Sequence, residues 1–337
     1  MSTSDPATLQ AVADEAGLSV ATVSKILGGK YKGNTPKGAE RVKRVAELAK
    51  RMGYIANASA RRLRGGAHHA IIVVVPTDEF GQPAVFAAEY IYGINQALRA
   101  RDKSLILHTY FRHGDAEQAP PLPSERFYDG AVVIDAVGNV DRQLTRAGVP
   151  TAFINVDPGP GKLAFTRDER AAGYDLIHAL AKLGYPRVLL VGETTSNPLG
   201  GGHPAYVQRY AGITEAIAET GLEFDEVAVP WWSGAIWHIF PQMPITPGTV
   251  IVATDTHTVF ILQRMLRREV PIACCDDSHQ VYELQRGLTR VRFDRMGLGR
   301  MAADMLLTRI ANPIAEVSVA PMRGEVYIGD TTPPYSA

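Results

Sequence analysis

From residue 67 onward the chain alternates short, densely apolar runs with longer stretches of helical periodicity, and few folds accommodate that alternation. The runs at 71–75, 104–108, 131–134, 151–154, 187–191, 249–252 and 272–275 read as buried strands. Helical spacing fills 85–101, 169–183, 206–220, 256–268 and 297–310. Strands alternating with helices signify a parallel α/β sheet. The sequence shows no internal repeat, but the pattern divides near residue 166 into two halves. A cleft between two such halves, just beyond the strand carboxyl ends, is the expected place for a small ligand. At 337 residues there is room for roughly two domain-equivalents.

The two cysteines, Cys274 and Cys275, are adjacent and cannot frame a loop-closing disulfide. They read as small apolar residues of a buried strand. Residues 1–6 carry no signal-peptide pattern, and no run approaches the roughly 18 apolar residues of a membrane span. A cytoplasmic protein is therefore expected.

Charge separates the first 66 residues from the rest. The whole chain has 35 Lys+Arg and 35 Asp+Glu. Residues 1–66 hold 12 of the basic residues and five of the acidic ones, a net +7, which leaves −7 for the remainder. A basic head on an acidic body points to a polyanionic partner, with nucleic acid first.

Within that head, residues 8–16 predict a short helix with Leu9, Val12, Ala13 and Ala16 on one face. Gly17 stops it, and Ser19 can cap a second helix over 20–27. Thr35-Pro36 opens a third, whose apolar stripe runs through Ala39, Val42, Val45, Ala46 and Ala49. Two short helices joined at a glycine turn make a helix-turn-helix, with the third helix completing a small core. A three-helix bundle with a solvated basic face is the plainer alternative.

The following segment narrows this. The run Thr8-Leu9-x-x-Val12-Ala13-x-x-Ala16-Gly17-x-Ser19-x-x-Thr22-Val23-Ser24, with Gly53-Tyr54-Ile55-x-Asn57-x-x-Ala60-Arg61-x-Leu63 after it, resembles the DNA-binding head and hinge of the lactose-repressor (LacI/GalR) family of bacterial transcription regulators. Further landmarks are Tyr128-Asp129-Gly130, Leu183-Gly184-Tyr185-Pro186, Ala253-Thr254-Asp255 and Asp276-Asp277. The resemblance implies an all-α helix-turn-helix head plus hinge helix, joined to an α/β periplasmic-binding-protein-like core of two doubly wound parallel-sheet subdomains. It divides the chain into a head at 1–54, a hinge at 55–66 and a core at 67–337. One core half would comprise about 67–166 plus 295–320, the other about 167–294 plus 321–337.

The same resemblance assigns roles. Val20, Ala21 and Lys25 take the base-reading side of the recognition helix, and Thr22 and Ser24 hold phosphates. Chemically this is sound: lysine donates to guanine O6/N7, apolar groups meet a thymine methyl, and hydroxyls grip the backbone. Asn57, Arg61 and Leu63 belong to the hinge helix, with Leu63 as a minor-groove wedge. Operator double-stranded DNA, a small effector and a second copy of the chain are the implied partners. The end of the sequence, 332–337, has no leucine-heptad tail, so a homodimer is expected. Two departures from the family pattern stand in the head: a glycine-rich loop at 28–34, and Ala56 in place of a proline.

In the body, Asp78, Asn155, Asp157, Arg209, Thr254, Asp255 and Asp276 fall just after strands or at helix starts, and Trp231 and Trp232 add aromatic faces. Polar forks with an aromatic plane suit a hydroxylated ring such as a sugar or nucleoside. By family position Asn155, Arg209, Trp232, Thr254 and Asp276 are the effector contacts, joined by Arg295. Arg209 with Arg295 leaves an anionic sugar phosphate open. For Asp255 and Asp168 a helix cap is explanation enough. Ile134 stands where related proteins often have a polar contact, which implies an altered ligand. The segment 119–123 interrupts a usual helix, and 234–249 is short and proline-rich.

An enzyme reading finds little support. Gly297-x-Gly299-x-x-Ala302 imitates a dinucleotide fingerprint but lacks a following βαβ unit. A helix packed through small residues explains it better. The sequence has no Walker loop, no His-Glu-x-x-His and no Gly-x-Ser-x-Gly. Neither cofactor nor metal is implied. The competing class is a solute-binding or catalytic α/β protein whose basic head serves another acidic partner.

Overall fold

A computed structural model describes residues 7–28, 31, 33–54, 68–77, 86–111, 122, 127–135, 138–192, 204–229, 241, 243–266, 270–277, 287–313 and 319–336. It falls into two compact units, Met1–His68 and His69–Ala337.

The first unit holds α1 (Leu9–Ala16), α2 (Val20–Leu27) and α3 (Pro36–Arg51). Each begins at a hydroxyl cap: the side chains of Thr8, Ser19 and Thr35 accept from Ala11, Thr22 and Gly38 N–H. Such a cap satisfies one of the donors a helix start leaves unpaired. Gly17 ends α1 in a left-handed conformation. Val12, Ala13, Val23, Ile26, Val45 and Leu48 close one small core, and an Arg44 N–H to the Ala16 carbonyl (3.0 Å) ties α3 to the end of α1.

The second unit contains two sheets. Strands β1 (Ala70–Thr77), β2 (Ser104–Phe111), β3 (Gly130–Ile134), β4 (Thr151–Ile154) and β5 (Leu163–Phe165) form the first, in order β2-β1-β3-β4-β5 and parallel throughout. In the second, β6 (Arg187–Gly192), β7 (Glu223–Ala228), β8 (Thr249–Ala253), β9 (Ile272–Cys274) and β10 (Thr289–Arg292) are also parallel. Their order is β7-β6-β8-β9-β10, with β11 (Glu325–Tyr327) antiparallel on the outer edge. The two orders are the same when each sheet's strands are counted from its own first. A sequence without a visible repeat thus folds into two copies of one doubly wound topology, each with its switch point between the first and third strands.

Helices cover both faces of each sheet. Helix α4 (Ala87–Arg99) and α9 (Arg295–Ala311) bury Tyr90, Ile94, Leu98, Leu298 and Leu306 on one face of the first sheet, and α5 (Asn139–Arg146) packs Val140 and Leu144 on the other. On the second sheet, α6 (Glu169–Lys182) and α7 (Pro204–Thr220) take one face and α8 (Thr256–Met265) the other. Cys274, the last residue of β9, and Cys275 just after it point to opposite faces and are both fully buried. No helix among the described residues is long and apolar enough to cross a membrane.

Glycines set the spacing of both helix pairs. A Cβ on Gly299 would meet the Tyr90 carbonyl oxygen at 2.3 Å, so the Gly297-x-Gly299 pattern serves the crossing of α9 over α4. A Cβ on Gly212 would lie 2.0 Å from the Arg170 carbonyl oxygen, so α6 and α7 touch backbone to backbone. Gly212→Ala is expected to cost about 1–3 kcal/mol by overpacking, read as a lower unfolding midpoint. An unchanged midpoint would mean that the helices do not cross there.

Candidate effector site and nucleic-acid interface

On α2, Val23 and Ile26 face the small core, which leaves Ala21 and Lys25, one turn apart, exposed on the opposite side. Val20, Thr22 and Ser24 flank that face and are half-buried. The Thr22 hydroxyl lies 2.8 Å from the Ser19 hydroxyl and so helps fix the helix start. The resulting surface is a short apolar patch with a cation at one end, on a helix whose other face is locked by packing. Asn57, Arg61 and Leu63 lie outside the described residues.

In the second unit, four of the residues nominated from sequence meet in one buried cluster. The Arg209 guanidinium, 2% exposed, donates from Nε to Glu169 (2.6 Å), from Nη1 to the Thr254 carbonyl (2.6 Å) and from Nη2 to Asp276 (3.1 Å). All three of its nitrogens are committed. Asp276 also accepts from Arg167 (3.0 Å) and from Arg295, while Arg167 pairs with Glu169 at 2.5 Å. Arg295, 1% exposed, reaches Asp277 (2.8 Å) and Glu89 (3.4 Å), and Arg290 approaches Asp277 at 3.5 Å. The Phe293 ring lies under two of these cations, 4.9 Å from the Arg167 guanidinium carbon and 6.0 Å from that of Arg295.

Position along the chain explains the meeting. Asp276 follows β9, Arg167 and Glu169 span the passage from β5 into α6, and Arg295 opens α9. That passage is braced from the far end of the chain: Asp168 N–H donates to the Met322 carbonyl (2.7 Å), and Met322 N–H to the Thr166 carbonyl (2.8 Å). Burial by itself would raise the Asp276 pKa, but Arg167, Arg295 and Arg209, helped by the Asp277 N–H, hold the carboxyl well below the ordinary range. The same carboxylates overcome burial at Arg209 and Arg295 and raise both. Tyr90, fully buried on α4, has no hydrogen-bond partner for its hydroxyl among the described residues, and burial pushes its pKa up.

Asn155 stands apart from this cluster. It follows β4 in a left-handed conformation, φ 68°, and donates from Nδ2 to Asp135 at 2.7 Å. Asp135 follows β3 and is also left-handed, φ 61°. Each such non-glycine residue costs of order 1 kcal/mol, a strain that clusters at ligand-gripping sites. Ile134 before it is fully buried in the core under α4 and α9.

Other nominated residues resolve locally. Asp255 and Asp168 cap α8 and α6, and Asp157 accepts from the Gly159 N–H. Asp78, Trp231 and Trp232 lie outside the described residues, as does most of 119–123. Arg167, Glu169, Glu89, Asp277 and Asp135 were not nominated. The signal for Arg167 and Glu169 was β5, which sequence periodicity did not reveal.

Comparison with known proteins places this architecture. A family profile described as a periplasmic binding protein-like domain matches residues 177–332. RafR of Escherichia coli, an HTH-type transcriptional regulator, is 29% identical over 218 residues, covering 64% of this chain and 62% of RafR. CelR of Thermobifida fusca, also an HTH-type transcriptional regulator, is 24% identical over 330 residues, 92% of this chain and 93% of CelR. The lac repressor dimer bound to operator and the anti-inducer ONPF superposes with a TM-score of 0.77 at 17% identity, over 98% of this chain and 100% of that one. The chain is similar to these HTH-type transcriptional regulators and, in fold, to the lac repressor. The same fold is matched by a CelR–cellobiose complex, with a TM-score of 0.63 at 21% identity over 96% of this chain and 99% of that one.

Proposed function

We propose that this protein is a dimeric, sequence-specific DNA-binding transcription regulator, a repressor, whose operator affinity is set by a small hydroxylated effector, a sugar. The exposed Ala21–Lys25 face of α2 on a separately packed basic unit carries the reading. The head spans 1–54, the hinge 55–66 and the effector-binding, dimerising core 67–337. Ala21 and Val20 meet apolar base edges, Lys25 reads guanine, and Thr22 and Ser24 hold the backbone. Asn57 and Arg61 lie along the hinge, and Leu63 wedges into the minor groove. In the core, Asp78, Asn155, Trp232 and Thr254 contact the effector, and Arg209, Asp276 and Arg295 present the polar floor beneath it. The chemistry is binding, with no catalytic step, and the protein acts in the cytoplasm. An effector that binds one arrangement of the core halves more tightly than the other shifts the population, and operator affinity with it.

Selection from a pool of randomised duplexes tests this. The full chain is expected to enrich a pseudo-palindromic site, which residues 67–337 alone do not, while both retain sugar binding. Leu63→Ala is expected to lose the selected site and keep sugar binding. Equal enrichment by residues 67–337 would refute the assignment of the head, and sugar binding without any enriched sequence would favour a solute-binding protein.

A further inference from the structure

The chain enters the second unit at His69, just before β1, and that entry is held from both sides. The Ser104 N–H, at the start of β2, donates to the His69 carbonyl (2.7 Å). The His69 N–H donates in turn to Oδ2 of Asp129 (2.9 Å), the residue before β3. That carboxylate is nearly buried and also accepts from Lys103 Nζ (3.0 Å), while the Asp129 N–H holds the Ala70 carbonyl (2.8 Å). His69 itself is exposed and left-handed, φ 57°. A non-glycine residue enters that region at a cost, so its surroundings must hold it there.

Because the two sheets repeat one topology, the second shows which of these bonds the fold itself requires. Pro186, before β6, stands in the place of His69, and Gly248, before β8, in that of Asp129. The Glu223 N–H, at the start of β7, donates to the Pro186 carbonyl (3.0 Å) as Ser104 does to His69, so this bond belongs to the topology. The clamp does not. Proline has no N–H to donate and its ring keeps φ near −65°, and glycine has no side chain to accept. In the second sheet the chain reaches its first strand from α6, through residues 183–186. In the first it arrives from the segment that follows the head. The carboxylate clamp is present at the entry that leads to the head and missing at the equivalent entry that does not.

We infer that Asp129 is a positioning residue for operator binding, fixing the direction in which the chain leaves the core so that residues 55–66 start from a set geometry. The role rests on the regulator reading of the proposed function and supplies its link between core and hinge. Only six residues separate Leu63 from Ala70, and two of them are Gly65 and Gly66. Within one subunit, a rearrangement of the core halves reaches the hinge along the chain through those residues alone. Each backbone left free among them has to be ordered when the operator is bound, and its entropy subtracts from specific affinity. Holding His69 beforehand removes two dihedral angles from that cost in every subunit. Non-specific binding comes from released counterions and makes no such demand.

Fluorescence anisotropy with the full chain tests this on two duplexes, the site selected from the randomised pool and one of mixed sequence. Asp129→Ala is expected to weaken the selected duplex about tenfold and to leave the mixed duplex unchanged. Asp129→Asn keeps an acceptor oxygen for the His69 N–H and should restore most of the loss. His69→Val leaves the carboxylate in place but resists a left-handed backbone, so it should imitate Asp129→Ala. It also carries the test should Asp129→Ala fail to fold. A merely structural role for Asp129 would lower the unfolding midpoint and affect both duplexes alike. An unchanged ratio of selected to mixed affinity in Asp129→Ala and His69→Val, or an equal loss on both duplexes, would overturn the positioning role and leave the regulator reading intact. Failure of the natural chain to select any duplex would overturn that reading, and this role with it.

Discussion

Replacing Asp276 with alanine is expected to cost the core about 3–5 kcal/mol, because Arg167, Arg209 and Arg295 lose the acceptor they share. Against a total stability of about 5–15 kcal/mol, that is enough to depress the melting temperature severely or to prevent folding. The size follows from an asymmetry. A complete buried ion cluster recovers little more than its own desolvation cost, but removing one member strands its partners in a dry interior. Asp276→Asn keeps the volume and an acceptor oxygen while discarding the charge, and should fall between alanine and the natural residue. Acid acts on the same carboxyl. Its folded pKa is depressed, so its contribution is complete above about pH 4, the ordinary carboxyl range, and is lost as the pH falls towards the folded value. The asparagine variant should therefore show a flatter acid limb in a plot of unfolding midpoint against pH. Thermal unfolding of the alanine variant at the natural temperature would show that the arginines have other acceptors.

The cluster also shows which information a sequence carries. Some of its pairs are far apart in sequence, Arg209 with Glu169 by 40 positions and Arg295 with Glu89 by 206. Residue type and place at strand ends or helix starts nominated Arg209, Thr254 and Asp276, and the family resemblance added Arg295. Nothing local announced that each Arg209 nitrogen would already hold a protein acceptor, which makes it a counter-ion to Glu169 and Asp276. The central strands were legible because both faces are buried and the runs are uniformly apolar, as in β1, β3, β6 and β8. Strand β7 was missed because Glu223, Asp225 and Glu226 on a half-exposed edge carry no such run. Strands β5 and β11 have three residues each, too few to show a period. The caps and stops of the head's three helices were legible because they are local signals, but the α3 stripe included Ala39 and Ala46, which are exposed, and left out Leu48, which is buried. Asp135 escaped notice because a left-handed backbone after a strand depends on what the neighbouring strands hold in place.

Raising the salt from about 50 to 200 mM is expected to weaken binding of the protein to a mixed-sequence duplex by about a thousandfold or more, with a straight line on logarithmic axes. Non-specific affinity comes from released counterions, so the slope counts the phosphates neutralised and ignores the protein's overall charge. Net neutrality of the 337 residues would predict weak dependence if charge were spread evenly. Instead the first 66 residues carry +7, and the described helices of that segment leave Lys25, Lys37, Lys43, Lys50 and Arg51 exposed. The compensating −7 lies in the remaining residues and outside the arginine–carboxylate cluster, whose four cations and four anions balance. Lys25→Ala should reduce the slope by about one per head and weaken all duplexes alike in non-specific binding, whereas a selected site should lose discrimination at one base pair as well. The comparison separates two contributions of a single side chain, charge and base reading, that affinity alone would merge. A salt-independent affinity, or a slope that survives deletion of residues 1–66, would place the DNA contact on the core and refute the division of labour between the two units.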